Sequence, residues 1–273
     1  MRKGSSATRQ RVHAGPKIGL IDIETAPIEG RVWGLFDQNV GLNQITTEWA
    51  IISFCFKPLG AKRSELVYLD TSEKEDPRDD YELCGALWEI LHEYDILIAQ
   101  NGKRFDMRKI RARLIMHGFP PPSPTKIEDT MLMARQVAAF TSNKLEWLTT
   151  YLSKQQKSKH KEFPGFELWA ECLAGNPKAW AAMRKYNIPD VTSMEQVYLN
   201  LRPWVSGHSN VAVYTDDEQT ACPICGSHKV SEDGFTFTNV GKYQRYHCGN
   251  CGAWSRSRYT LNSLAKRKSL LVR

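Results

Sequence analysis

Ile18-Gly-Leu-Ile-Asp-Ile-Glu-Thr25 is short, apolar and interrupted by two acids standing two residues apart. A strand alternates its side chains with period two, so Asp22 and Glu24 share one face. Two carboxylates on one face of a buried strand repel each other and lose hydration. Divalent cations are the simplest compensation. Two more segments end in an acid: Ile98-Ala-Gln-Asn-Gly-Lys-Arg-Phe-Asp106 and Tyr186-Asn-Ile-Pro-Asp190.

Working outward, strands are expected at 49–57 and 65–70. A helix is expected to carry Leu83, Leu87, Ile90, Leu91 and Tyr94 on one stripe. Asp95-Ile-Leu-Ile-Ala-Gln100 is continuously apolar, as a central strand would be. Asp106 opens a helix running to about His117. Lys126-Ile-Glu-Asp-Thr130 reads as a short strand entering a helix. A further helix starts near Asn143. Residues 26–48 lack clean periodicity and read as a long loop beside the acids, and 154–161 as a polar loop. Helical stretches follow at 166–173, 177–185 and 188–201. Pro189 separates the last two, because proline is tolerated in a first turn but not in a helix interior. Asn187 would then cap the last helix, leaving Tyr186 just outside it. Strands alternating with helices imply an α/β domain over 17–204.

The net charge of +7 is unevenly spread: residues 1–17 contribute +5, the middle −6, and residues 234–273 contribute +8 without one acid. Basic ends around an acidic centre suit a polyanion drawn toward a carboxylate site. Residues 1–16 read as a basic flexible arm and 261–273 as a basic tail. No apolar run approaches ~18 residues, so no membrane span is expected. Cys55, Cys84 and Cys172 look like free core thiols, which fit a reducing compartment, with cytoplasm the expected location.

With these residues in view, the chain resembles the DnaQ-like 3′–5′ exonucleases, in their tyrosine (DEDDy) branch, within the ribonuclease H-like fold. The motifs matched are Asp22-Ile-Glu24-Thr25, Asn101-Gly-Lys-Arg-Phe105-Asp106 and Tyr186-Asn-Ile-Pro-Asp190, in the family's order. The resemblance implies a mixed sheet flanked by helices, and two Mg²⁺ or Mn²⁺ ions held by Asp22, Glu24, Asp106 and Asp190. It gives Tyr186 the attacking water to orient, and Glu24 a contact with the terminal 3′ hydroxyl. Two such cations generate a nucleophile at neutral pH and stabilise the leaving oxygen. Thr25, Asn101, Phe105, Lys103 and Arg104 are the expected substrate contacts, Asn101 equally a cap for the helix that follows. Asp129 resembles a recurring family position that is usually a structural helix cap rather than a metal ligand, and His92, His117 and His160 read as surface or helix histidines.

Downstream, Cys222-Pro-Ile-Cys225 and Cys248-Gly-Asn-Cys251 stand twenty-two residues apart. Two-residue spacing lets each pair grip one tetrahedral Zn²⁺. Residues 234–237 and 243–246 look like two strands between the pairs, so 220–260 resembles a zinc ribbon after a linker at 205–219. Its aromatics, mixed with Lys242, Arg245, Arg256 and Arg258, are expected to bind nucleic acid or, alternatively, a protein partner.

The sequence thus points to a two-metal 3′–5′ exonuclease, on single-stranded DNA in preference to RNA. An exoribonuclease, a structure-specific endonuclease on the same fold, and a binding protein with an inactive nuclease domain are the alternatives.

Overall fold

The computed structural model describes residues 15–155 and 162–271. All but the end of the basic arm, and His160 with most of the 154–161 loop, lie outside them. The chain divides into one unit spanning Lys17–Ser206 and a second built on the chain from Gly207 onward.

In the first unit the order is β1 (Ile18–Thr25), β2 (Glu29–Gly30), β3 (Ile45–Thr47), β4 (Ile51–Pro58), β5 (Val67–Asp70) and α1 (Tyr81–Glu93). Then come β6 (Ile96–Ala99), α2 (Asp106–Met116), β7 (Lys126–Asp129), α3 (Thr130–Val137), α4 (Leu145–Leu152), α5 (Glu167–Leu173) and α6 (Pro177–Leu201). The five-stranded sheet runs β5-β4-β1-β6-β7. β4 is antiparallel to β1 and β5, whereas β6 is parallel to β1 and β7. This mixed sheet with helices on both faces is the ribonuclease H-like architecture.

Alternation along β1 divides the core. Ile21 and Ile23 pack with Phe54, Leu87, Met107 and Ile110 on the face covered by α1 and α2. Leu20 packs with Cys55, Leu148, Val191, Met194 and Tyr198 on the face covered by α4 and α6. Asp22 and Glu24 are in phase with Leu20, so they point toward α6.

Two expectations are corrected here. The stretch 26–48 is not without regular structure: β2 pairs with β3. Gln44 frames the loop between them, its Nε2 donating to the Arg31 carbonyl at 2.8 Å. Residues 177–201 form one helix with Pro189 inside it, not two helices. Proline in a helix interior costs about 3 kcal/mol relative to alanine. Met183, Val191, Met194, Val197 and Tyr198 are at most 1 % exposed on that helix. Each fully buried apolar side chain of this size contributes roughly 1.5–3 kcal/mol, so packing outweighs the local break. Asn187 therefore does not cap a helix, and Tyr186 is not outside one.

The second unit holds β8 (Val230–Thr238), β9 (Gly241–Cys248), β10 (Trp254–Arg256) and α7 (Leu264–Ser269). Its antiparallel sheet runs β10-β9-β8. The buried core is small: Cys222, Ile224, Cys248 and Ala253. Among the described residues, no helix is long and apolar enough to cross a membrane.

Candidate active site

The ladder between β1 and β6 runs only from Ile18 to Leu20. Beyond it, β1 has lost its partner on that edge. Asp106, the first residue of α2, takes over there: its Oδ1 accepts from the Ile23 N–H at 3.2 Å. That bond sets Asp106 against the backbone between Asp22 and Glu24. Asp106 is 2 % exposed. Burial, with the nearby Asp129 charge adding to it, pushes its carboxyl up to about 7 despite the N–H groups that favour ionisation.

The turn before α2 explains how Asp106 arrives. Asn101 adopts a left-handed backbone, φ 61°. A Cβ on Gly102 would lie 2.4 Å from the Ala99 Cβ, so only glycine fits the turn. Asp129 holds it from β7, accepting from the Asn101 and Lys103 N–H groups at 3.0 and 3.1 Å. The same carboxylate accepts from Met131 and Leu132 at the start of α3. Four backbone donors make Asp129 the structural cap the sequence favoured. Asn101 does not cap α2, whose first turn is preceded by Phe105.

From the other side, α6 supplies Tyr186, Asn187 and Asp190. The Asn187 amide, fully buried, donates from Nδ2 to Asp22 Oδ2. Asp190 is 4 % exposed and one turn beyond Tyr186. The thiol of Cys55, the register partner of Asp22, is pushed up by burial and then by the charges of both Asp22 and Asp190. Both carboxylates therefore bear on one point of the sheet. On α5, Trp169 Nε1 donates to Glu24 Oε2 at 3.2 Å and stands edge-on to Tyr186, centroids 6.1 Å apart. Asn187 and Trp169 were missed by the sequence reading.

Beside Glu24 lies an open recess of about 490 Å³, lined by Glu24, Thr25, Pro27, Phe105, Phe166 and Trp169. Thr25 and Phe105 thus share one wall system. Lys103 and Arg104 are exposed on the preceding turn. Lys109 lies over the Trp49 ring at 3.6 Å. Arg113 is structural: with the Ile51 N–H and His117, it surrounds the buried Asp80 carboxylate, Nε and Nη2 at 2.6 Å each. Asp80, Cys84 and His117 have metal-ligating atoms within 4.8 Å of one another, but the Arg113 guanidinium already supplies their positive charge.

The four carboxylates offer hard oxygen donors of the kind that hold Mg²⁺ or Mn²⁺, and the buried Asp106 favours a cation near it. A consequence is measurable. In the metal-free protein, a carboxyl titrating near 7 keeps a proton that the unfolded chain releases at about 4. The folded state binds more protons over that interval, so this group's contribution to stability declines as pH rises through it. A cation on the ionised carboxylate offsets the loss. Added Mg²⁺ is expected to raise Tm little near pH ~5 and progressively more toward pH ~8. Thermal melts across that range would count against Asp106 as a ligand if the Mg²⁺ shift were independent of pH.

In the second unit, the Sγ atoms of Cys222, Cys225, Cys248 and Cys251 lie within 4.8 Å of one another. Cys222–Cys251 is 3.6 Å and Cys225–Cys248 is 3.7 Å. A tetrahedron with metal–sulfur arms of ~2.3 Å has edges of about 3.8 Å, so the set matches a four-thiolate metal site. Burial works to raise the Cys248 thiol, but the Cys251 and Asn250 N–H groups and neighbouring thiols bring it down to about 7. Arg245 lies on β9, where its Nη2 pairs with Asp233 at 3.1 Å.

A family model described as the RNase_H superfamily matches residues 40–202. That is more than half of the chain, and the chain belongs to the ribonuclease H superfamily. The match starts downstream of Asp22 and Glu24. The structure is similar to that of a family B DNA polymerase from the hyperthermophilic archaeon Pyrobaculum calidifontis, with a TM-score of 0.47 and 13 % identity. The similarity covers 69 % of this chain and 25 % of the polymerase, so the chain spans about a quarter of that protein's length. None of the curated proteins matches the chain.

Proposed function

We propose that the protein is a divalent-metal-dependent 3′–5′ exonuclease acting on single-stranded nucleic acid, DNA in preference to RNA. The observation that carries this reading is the meeting of three chain segments at the end of β1. Asp106 bonds the backbone between Asp22 and Glu24, and α6 brings Asn187 to Asp22. Asp22, Glu24, Asp106 and Asp190 would hold two Mg²⁺ or Mn²⁺. When bound, such cations lower the pKa of water and stabilise the leaving oxygen.

The chain's own groups do the rest. Trp169 orients the Glu24 carboxylate by donating to its Oε2, and that carboxylate would meet a cation or the terminal 3′ hydroxyl. Tyr186 orients the attacking water from the helix that carries Asp190. Phe105, Phe166 and Trp169 wall the recess beside Glu24, which takes the terminal nucleotide, and Thr25 and Asn101 contact it. Lys103 and Arg104 receive phosphates beyond it. Lys17–Trp204 is then the nuclease domain, 205–219 a linker, and 220–260 a ribbon closed by one structural Zn²⁺ on its four cysteines. With so small a core, that ribbon depends on its metal to fold.

The test uses strands labelled at the 5′ end, matched DNA and RNA, with Mg²⁺ or Mn²⁺. A ladder shortening one nucleotide at a time from the 3′ end, faster on DNA, is the expected result. Discrete internal cuts would make the enzyme an endonuclease, and faster loss of RNA would make it an exoribonuclease. No cleavage under any condition would overturn the reading.

A further inference from the structure

Alternation sorts the second unit's sheet into two faces. Tyr243, Arg245 and His247 occupy one face of β9. Trp254 stands directly opposite His247, and Arg256 directly opposite Arg245, so all five share that face. They meet in two adjacent groups. The Arg256 guanidinium lies 4.0 Å from the Tyr243 ring, Arg245 lies 4.7 Å from the Trp254 ring, and the His247 ring is 4.7 Å from Trp254. The result is a ladder of rings and cations across two strands, with no aliphatic side chain in it.

Two details show that the backbone is shaped to present it. A Cβ at Gly241 would come within 2.6 Å of the Tyr243 ring, so glycine lets that ring lie flat along the sheet. The ladder between β8 and β9 is irregular between Glu232 and Phe235. There the Asp233 carbonyl accepts from Arg245 Nε at 2.7 Å, turning the guanidinium over Trp254.

The face also carries an electrostatic cost. Like charges directly opposite each other in a ladder are destabilising. Arg245 and Arg256 are so placed, and Asp233 pairs with the first. Trp254 remains 51 % exposed, and residues 234–273 contain no acid. A half-exposed indole beside two guanidiniums, themselves seated on Trp254 and Tyr243, fits an unstacked base and the phosphates next to it.

We infer that this face of the β9–β10 sheet binds single-stranded nucleic acid, a base stacking on Trp254 and phosphates meeting Arg245 and Arg256, the latter held in place by the Tyr243 ring. The choice of ligand rests on the nuclease reading. The opposite face, with Phe235, Phe237 and Lys242, is not part of the contact.

The experiment uses the full chain in an Asp22→Asn background, so that the strand is not consumed, and a labelled thymidine oligonucleotide titrated at several salt concentrations. Arg245→Ala with Arg256→Ala should weaken binding about tenfold or more at low salt and flatten the log–log salt slope by about 1.4, or ~0.7 per phosphate contact. Trp254→Ala should weaken it roughly five- to a hundredfold. Phe237→Ala, removing an exposed ring from the other face, should change it less than about twofold. Each variant must keep its zinc, measured by metal analysis, which separates loss of contact from loss of fold. Zinc-replete variants that bind like the parent, an equal loss in Phe237→Ala, or a duplex bound as tightly as the single strand would each overturn the inference. If the unsubstituted enzyme cleaves nothing yet the face variants still lose binding, the nuclease reading fails and this one stands.

Discussion

Asp22→Asn is expected to abolish cleavage in Mg²⁺ and in Mn²⁺ while largely sparing nucleic-acid binding. The substitution removes a charge with almost no change of shape. The amide oxygen can still accept from Asn187 Nδ2, so the join between β1 and α6 persists. What disappears is the negative charge that, beside Glu24, would draw a cation to the end of β1 on the proposed reading. Loss of one preorganised electrostatic group costs on the order of 10²–10³-fold, and loss of a carboxylate that would hold a cation should cost at least as much. End-labelled assays on protein freed of contaminating nuclease give the answer, with Tm as the fold control. Cleavage at the parent rate would remove Asp22 from the chemistry.

Tyr186→Phe should slow the single-turnover rate by roughly ten- to a thousandfold with little change in strand affinity. A hydroxyl aimed at water is not an anchor for substrate, so KM should stay near the parent value while kcat falls. The continuity of α6 is what makes the expectation firm. Tyr186 lies one turn before Asp190 and stands edge-on to Trp169, itself bonded to Glu24. The phenylalanine keeps the ring contact and loses only the oxygen. An unchanged single-turnover rate would mean that the hydroxyl points away from the reacting phosphate.

The strands and acids were legible because their physics is local. Alternation alone put Asp22 and Glu24 on one face, and the apolar run at Ile96–Ala99 marked an inner strand. Pro189 misled because the cost of a proline is local, whereas the packing that outweighs it comes from α4 and the sheet. Asn187 was hidden for the same reason. Assigned to a cap, it could not be seen as a polar residue on the buried stripe Met183, Asn187, Asp190, Val191 and Met194. That stripe was the available signal. Trp169 left none, since a tryptophan amid short apolar spacing reads as core. Its bond to Glu24 exists only in three dimensions.

The hydrogen bond from Asn187 to Asp22 closes a loop of 165 residues. Bringing ends that far apart in sequence together is entropically costly and kinetically slow. The acids meet where β1, paired with both β4 and β6, faces α6 across the sheet. The carboxylates that would hold the cations come from β1, α2 and α6, so no fragment shorter than β1 through α6 carries them all. Ion binding at this site would consequently be coupled to the global unfolding equilibrium and not to a local one. A ligand at a hundred times its Kd adds about 2.7 kcal/mol to the stability of whatever must be intact to bind it, and here that is the entire sheet with its last helix.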